Sequence, residues 1–137
     1  MMHGLEPPTD SDWIIAELVM DFLKIFDSSS KIFCGIYYPT VSRVIIQLCN
    51  ITLKMNSYDC IDLFTPVLEV MRAKFNKYWE YIPIIYGIGV VLDLRYKIDS
   101  LRIWLTEILY PNDPKRINSW LEDIRKTLFD LYEYYKI

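Results

Sequence analysis

The sequence has few of the side chains that most enzyme sites require. Its only histidine is His3, and its three cysteines, Cys34, Cys49 and Cys60, form no C-x-x-C pair. A histidine-based catalytic triad is therefore excluded, and the cysteine spacing does not fit a zinc site. An odd number of cysteines without a signal peptide is typical of a reducing compartment.

Long apolar segments are also lacking. Residues 1–12 contain neither a charged n-region nor an apolar h-region, so nothing indicates secretion. The longest apolar run, Ile84–Leu92, has nine residues, whereas a membrane-spanning helix needs about 20. We expect a soluble intracellular protein without a membrane partner.

Only four glycines are present, and two of them, Gly87 and Gly89, are close enough to suggest a phosphate-binding turn. A dinucleotide fingerprint needs a third small residue where the sequence has Leu92, and no Lys-Ser or Lys-Thr follows as in a P-loop. Nucleotide binding is therefore not indicated. We expect no cofactor and no small-molecule substrate.

Two arrangements of acidic side chains suggest metal binding. Glu17 and Asp21 are four residues apart and share a helix face, although surface acids of this kind are usually solvated. Asp93 ends the apolar run, where polynucleotidyl-transferases place a metal-binding carboxylate, but the spacing nominates no partner acids. The alternative is that Asp93 caps the following helix or pairs with Arg95. We predict no metal site.

Charge is distributed unevenly along the chain. The net charge is −3, which is not the composition of a general nucleic-acid binder. Residues 72–102, however, contain six basic and three acidic side chains, whereas residues 1–71 contain four and nine. The candidate phosphate contacts in this middle segment are Lys74, Lys77, Arg95, Lys97 and Arg102. The alternative is that these side chains are simply solvated.

Apolar residues at helical spacing predict a first helix. Residues 1–8 are interpreted as a disordered leader, and Thr9 with Asp12 resembles a capping box. The helix should be buried on a broad face and end in Ser28–Ser30, with Gly35 and Pro39 in the following loop. Its apolar positions are Trp13, Ile14, Ile15, Leu18, Val19, Phe22, Ile25 and Phe26.

The same periodicity predicts two more helices before the glycines. Thr40 caps the second, for which a strand is the alternative because of its β-branched content. Its apolar positions are Val41, Val44, Ile45, Leu48, Ile51 and Met55. The third follows Asn56-Ser57 and runs to about Trp79, with Pro66 in a first turn or at a kink. Its apolar side consists of Val67, Met71, Phe75, Tyr78 and Trp79.

The remaining chain is also predicted to be helical. A buried helix weakened by Gly87 and Gly89 ends at Asp93. A short helix follows over Ile98–Tyr110, with Ile98, Leu101, Leu105 and Ile108 inward. The last begins at Pro111–Pro114 and has an apolar seam of Ile117, Trp120, Leu121, Ile124, Leu128, Leu131 and Tyr135. No hairpin signal or repeat is present, so we predict an all-α bundle of five or six helices in one domain over residues 9–137.

Two stretches carry a family resemblance, Lys74-Phe75-Asn76-Lys77-Tyr78-Trp79 and Val90-Val91-Leu92-Asp93-Leu94-Arg95-Tyr96-Lys97. They resemble K-F-D-K-Y-W and V-V-L-D-P-R-Y-K of the hAT superfamily of transposases, especially its plant Ac-like and RICESLEEPER-type members. Shorter matches, such as Asp12-Trp13 and Leu131–Tyr135, agree in order, so the resemblance covers about residues 9–137. Leu94 stands where the family usually has proline.

The resemblance implies the later part of a helical insertion within an RNase-H-like transposase core. The three metal-binding acids, a BED zinc finger that binds DNA and a dimerisation segment lie elsewhere in that family. Phe75, Tyr78, Trp79, Asp93, Arg95 and Tyr96 would then be structural motif residues, and no residue would be catalytic. This implies a nuclear, non-catalytic, transposon-derived domain with a DNA-binding or transposase-assembly role.

The composition leaves a second class of function open. Hydrophobic residues make up 53% of the chain, slightly above the ~45–50% of ordinary globular proteins. Such an excess fits a protein-interaction or oligomerisation module, or an inactive remnant of a truncated transposase. Its partners would be transposase relatives or a second copy, bound through apolar helix faces.

Overall fold

The structure is a computed structural model that describes residues 4–34, 41–93 and 95–136. Across these residues the chain forms six α-helices, one 3₁₀ turn and one π turn, and no strand. The helices are α1 (Asp10–Phe33), α2 (Val41–Ser57), α3 (Thr65–Tyr78), α4 (Ile84–Leu92), α5 (Lys97–Trp104) and α6 (Pro114–Tyr135). The predicted all-α bundle is confirmed.

Some expectations remain untested by the structure. Those that concern Gly35, Pro39, Thr40 and Leu94 lie outside the described residues. The disordered leader over residues 1–8 and the domain limits 9–137 stay predictions. No described helix combines the length and the hydropathy that crossing a membrane requires.

The main hydrophobic core surrounds α4. This short helix packs against α2, α5 and α6. Val90 of α4, Leu101 of α5 and Ile124 of α6 are completely buried there. Since α4 is apolar almost all round, it is stable only where neighbours cover most of its circumference. The predicted buried helix is confirmed, and it ends at Asp93, which lies at its C-cap.

The two glycines of α4 allow its close approach to its neighbours. A Cβ atom at Gly87 would collide with the Ile124 side chain and lie 2.6 Å from Trp120 Cη2. A Cβ atom at Gly89 would lie 2.7 Å from Val41 Cγ1. A glycine inside a helix costs roughly 1 kcal/mol relative to alanine. Close packing of α4 against α2 and α6 offsets that cost. The sequence predicted the cost of the glycines but not these contacts.

A second, smaller core joins α1 to α2, to the start of α3 and to the segment between them. Its buried members are Phe22, Ile51, Met55, Tyr58, Phe64 and Leu68. The ring of Tyr58 lies edge-on to Phe22 at 5.0 Å and to Phe64 at 4.8 Å between centroids. Such pairs add specific aromatic contacts to simple area burial. This cluster is the principal attachment of α1 to the bundle.

The first helix begins as predicted but extends further. Thr9 N donates to Asp12 Oδ2 at 2.8 Å and Asp12 N donates to Thr9 Oγ1 at 3.3 Å, so the capping box is confirmed. The predicted end at Ser28–Ser30 is wrong, because α1 continues to Phe33. The buried Ser29 hydroxyl donates to Gln47 Oε1 at 3.1 Å. Since this partner satisfies the hydroxyl, it does not compete with the helix backbone.

The predicted broad burial of α1 is also wrong. Phe22 is the only one of its predicted apolar residues that is buried. Leu18, Ile25 and Phe26 are half-buried, and Trp13, Ile14, Ile15 and Val19 are exposed. The reason is that α1 packs chiefly along α2, so a neighbour covers only one side of the helix.

The third helix begins later than predicted and has a rotated inner face. It starts at Thr65 and not directly after Asn56-Ser57, because the 3₁₀ turn Asp62–Phe64 comes first. Pro66 lies in its first turn, as expected. Leu68 is buried, whereas the predicted inward residues Val67 and Tyr78 are 49% and 78% exposed. The 3₁₀ turn before α3 places Phe64 in the core, and Leu68 follows it on the same face one helical turn later.

The predicted helix over Ile98–Tyr110 is present with a change of register. α5 continues directly into the π turn Leu105–Leu109, in which Tyr110 N donates to Leu105 O at 2.8 Å. Leu101 and Leu105 are buried, as predicted. The wider π turn rotates Tyr110 relative to an ordinary helix, and single π turns are frequent at functional sites.

The last helix is buried over only part of its length. Asp113 Oδ1 accepts a hydrogen bond from Arg116 N at 3.1 Å and caps α6. Ile117, Leu121 and Ile124 are buried as predicted, but Leu131 and Tyr135 are 45% and 73% exposed. The predicted seam is therefore wrong beyond Leu128, because the described helices cover α6 only up to that residue.

Candidate nucleic-acid interface

Lys74 and Lys77 lie on the outer face of α3. Both are exposed, and neither forms an ion pair with another described residue. Residues three apart on a helix are neighbours, so the two ammonium groups point to the same side. This arrangement suits contacts to successive phosphates of a nucleic-acid backbone.

Arg95 is held by Asp93 at the end of α4. Its Nε donates to Asp93 Oδ1 at 3.1 Å, its terminal nitrogen donates to Oδ2 at 2.9 Å, and its backbone N donates to Oδ1 at 3.0 Å. Hydrogen bonds from the Arg95 side chain and backbone lower the pKa of Asp93 to about 2. Pairing with Arg95 was one of the two predicted alternatives for Asp93. Because the carboxylate neutralises the guanidinium, little net charge remains on Arg95 to attract a phosphate.

Lys97 and Arg102 lie on another helix, α5. Both are exposed, but they are five residues apart and therefore about 140° apart around the helix. Lys97 also has a backbone φ of 76°, in the left-handed region that residues other than glycine rarely adopt. Of the five predicted phosphate contacts, two thus lie on α3, two on α5 and Arg95 in the turn before α5. Lys74 and Lys77 form the one pair on a shared helix face.

The aromatic motif residues have different surroundings. Phe75 packs against both hydrophobic cores, and the half-buried Trp79 ring lies 6.3 Å from that of Tyr86. The Tyr96 ring lies 5.1 Å from Trp104. Tyr78 is 78% exposed beside the lysine pair. It is therefore a surface residue, in contrast to the other motif aromatics.

A groove of about 630 Å³ opens next to Lys77. It is bounded by the end of α3, the end of the π turn and the start of α6. Its polar lining consists of Asn76, Lys77, Glu80, Asn112, Asp113 and Arg116. Trp79 and Tyr110 supply aromatic surface. The groove has the size of small ligand sites, but its mixed charge does not select one ligand.

Arg116 is the residue that the sequence interpretation missed. Its guanidinium carbon lies 4.2 Å from the Tyr110 ring centroid, and the Tyr110 hydroxyl donates to Trp79 O at 2.8 Å. The cation–π contact and this hydrogen bond orient Arg116 toward the same groove as Lys77. The only sequence signal was a basic pair, Lys115-Arg116, directly after the Pro111–Pro114 break.

In the acidic pair on α1, Glu17 and Asp21, the second residue makes contacts within the fold. Asp21 Oδ2 accepts hydrogen bonds from Lys54 Nζ at 2.7 Å and from the Tyr58 hydroxyl at 2.6 Å. The bond from Lys54, followed by that from Tyr58, lowers the pKa of Asp21. One of the two carboxylate oxygens of Asp21 is therefore engaged within the fold. Among the described residues, no three His, Cys, Asp or Glu side chains are grouped closely enough to hold a metal ion.

Comparisons with known proteins identify the family. The model of the hAT-like transposase, RNase-H fold family matches residues 36–135. Zinc finger BED domain-containing protein RICESLEEPER 1 of Oryza sativa subsp. japonica is 25% identical over 110 residues, and RICESLEEPER 2 is 23% identical over 105. Each alignment covers 75% of this chain and 14% of the relative. No solved structure matches. The chain belongs to the hAT-like transposase, RNase-H fold family.

Proposed function

We propose that the chain is a non-catalytic helical module that supports a DNA-bound, transposase-type assembly in the nucleus. In this proposal Lys74 and Lys77 contact phosphates of the DNA backbone. The observation that carries it is the exposed, unpaired state of both lysines among the described residues, on a helix inside the family match. Arg116 adds a third cation beside the same groove.

The non-catalytic part of the proposal is supported by the engagement of the two carboxylates that first suggested metal binding. Asp93 pairs with Arg95, and Asp21 accepts bonds from Lys54 and Tyr58. The resemblance also supports it, because it implies the later part of the helical insertion, which lacks the family's metal-binding acids. Nicking of DNA by this chain in Mg²⁺ or Mn²⁺ would overturn this part.

The number of phosphate contacts predicts the salt dependence of binding. Two or three contacts correspond to a slope of about −2 to −3 in log K against log salt. Binding by this chain alone should therefore be weak and detectable at low ionic strength. It should also be insensitive to sequence, because phosphate contacts position a protein without reading bases.

Fluorescence anisotropy with a short DNA duplex tests this proposal. Lys74→Glu with Lys77→Glu should weaken binding about tenfold or more, because two contacts become repulsive. Arg43→Glu with Lys126→Glu makes the same change of charge at exposed positions on α2 and α6 and should have a much smaller effect. An equal loss in both variants, or no binding at low salt, would refute the DNA contact.

We propose protein contact as a second function of a different class. It is favoured by apolar side chains that the described bundle leaves exposed on α1 and at the end of α6. Phe129, Tyr132, Tyr134 and Tyr135 of α6 are each more than 60% exposed. Apolar side chains left exposed in such number are typical of interaction sites.

A further inference from the structure

An exposed tyrosine accompanies the two lysines on α3. Lys77 is three residues after Lys74 and Tyr78 is four residues after it, so both are neighbours of Lys74 on the helix surface. The Tyr78 side chain is 78% exposed. We call Lys74, Lys77 and Tyr78 the lysine–tyrosine surface. It combines two positive charges with an aromatic ring that the described helices leave uncovered.

The two charges of this surface are free to bind a partner. Neither lysine forms an ion pair with another described residue. The only acidic residue of α3, Glu69, is five positions before Lys74 and therefore about 140° away around the helix. Glu80 follows the end of α3, and it too is unpaired among the described residues. A partner that covers Lys74 and Lys77 should therefore be negatively charged.

An apolar groove of about 530 Å³ borders the lysine–tyrosine surface. Lys74 and Tyr78 belong to its wall, whereas Lys77 does not. Around the helix axis Lys77 lies about 60° to one side of Lys74, and Tyr78 lies about 40° to the other side, toward the groove. The aromatic side chains that line the groove are Phe26, Phe33, Phe75, Tyr78 and Trp79. Charge and aromatic surface are thus arranged side by side across the end of α3.

This arrangement suits a nucleic-acid strand whose bases are unpaired. Proteins bind such a strand with cations that follow the phosphates and with aromatic side chains on which the bases stack. In a duplex the bases stack on one another and present only their edges in the grooves, so an exposed tyrosine ring has no base face to contact. The lysine pair alone suits either form of DNA, whereas Tyr78 beside an aromatic groove favours the single strand.

We infer that the lysine–tyrosine surface binds single-stranded DNA, with phosphates at Lys74 and Lys77 and a base stacked on Tyr78. This inference rests on the DNA contact proposed above and specifies the form of DNA that the contact prefers. A peptide combines negative charge with rings only where acidic and aromatic residues occur together. A nucleic-acid strand repeats this combination at every nucleotide.

Fluorescence anisotropy with two labelled strands of equal length tests the contribution of the bases. One is an oligothymidylate of about 12 nucleotides, and the other is an abasic strand with the same number of phosphates. The wild-type chain should bind the oligothymidylate about fivefold more tightly or better, because base stacking is added to equal phosphate contacts. Equal affinity for the two strands would overturn the inference.

Substitutions at Tyr78 test whether its ring provides the stacking. Tyr78→Leu keeps an apolar side chain but removes the ring, so it should abolish the preference for oligothymidylate over the abasic strand. Tyr78→Phe keeps the ring and should keep the preference. Tyr134→Leu on α6 is the matched control, because Tyr134 is 79% exposed, and it should leave both affinities unchanged. A preference that survives Tyr78→Leu would overturn the role of Tyr78. Circular dichroism checks that the variants retain their helical content.

The outcomes separate this inference from the proposed DNA contact. Tighter binding to a duplex of the same length than to oligothymidylate, with a loss in Lys74→Glu with Lys77→Glu, overturns the single-strand preference but leaves the phosphate contact standing. No binding to any of these oligonucleotides at low salt overturns both. A glutamate–tyrosine copolymer that displaces oligothymidylate at equal charge concentration would overturn the assignment to nucleic acid.

Discussion

Two helices of this bundle are rich in apolar residues and yet contribute very differently to the core. α4 has nine residues and buries Gly87, Ile88 and Val90, whereas α1 has 24 residues and buries only Phe22 and Ser29. α4 is surrounded by α2, α5 and α6, whereas α1 packs chiefly on α2. An apolar face is therefore buried only where enough neighbours surround it. The stability of the molecule should reside around α4, and contacts with other molecules should involve α1.

The largest expected effect compares two leucines of the two regions. Leu101 is completely buried beside α4. Leu101→Ala should lower the free energy of unfolding by about 2–5 kcal/mol, because it leaves a cavity. Leu23→Ala on α1 should change it by less than about 0.5 kcal/mol. Urea denaturation measures the free energy of unfolding of both variants, at a protein concentration low enough to keep the chains monomeric. Similar losses would contradict the contrast between the two helices.

The next effect concerns the close contact made by Gly87. Helix propensity predicts that Gly87→Ala stabilises α4 by roughly 1 kcal/mol. Collision of the new methyl group with Ile124 and Trp120 should instead destabilise the chain by about 1–3 kcal/mol. Ser28→Ala, at an exposed position within α1, is the control and should be neutral or slightly stabilising. A stabilising Gly87→Ala would show that α4 and α6 are less tightly packed.

Helix caps provide a smaller test of the same contrast. Asp113→Ala removes the cap of α6 and should lower global stability by about 0.5–2 kcal/mol, because α6 belongs to the main core. Thr9→Ala removes the capping box of α1, where no residue before Phe22 is buried. It should mainly speed amide hydrogen exchange in residues 10–17 with little change in the global unfolding midpoint. Equal shifts of the midpoint would show that α1 unfolds together with the core.

The smallest expected effect is the pH dependence that Asp93 contributes. Its pKa of about 2 in the folded chain is below the value of about 3.9 expected when unfolded. The stabilisation by Arg95 is therefore fully present above about pH 4 and is lost as the pH falls toward 2. Thermal unfolding from pH 5 to 2 should show a stability difference between wild type and Asp93→Asn that shrinks across this range. If the stability difference stayed constant from pH 5 to 2, the Asp93–Arg95 pair would be excluded as its source.

The sequence predicted those features that depend on near neighbours along the chain. The capping box of Thr9 and Asp12, Pro66 in a first turn and the end of α4 at Asp93 each involve residues within a few positions of one another. Local hydrogen bonding and backbone preference determine such features. The two motif stretches were also sufficient to predict the family, which the family match confirms.

The candidate interface was predicted only in part. The sequence nominated Lys74 and Lys77, because a basic segment can be counted directly. It did not nominate Arg116, whose position depends on a stack with Tyr110 and on the hydrogen bond from Tyr110 to Trp79, 31 residues earlier. The predicted inward face of α3 was wrong because it also depends on residues distant in the sequence. Leu68 is buried through contacts with a cluster that includes Phe22.

The glycines of α4 show which features the local sequence does not determine. Composition and periodicity were enough to predict an all-α bundle of five or six helices. They were not enough to show that Gly87 lies against Ile124 of α6, or that the apolar residues of α1 remain exposed. Helix formation depends on interactions within about four residues, whereas burial depends on which distant segments pack together. The exposed surfaces of α1 and α3, and hence the proposed functions, follow from that packing.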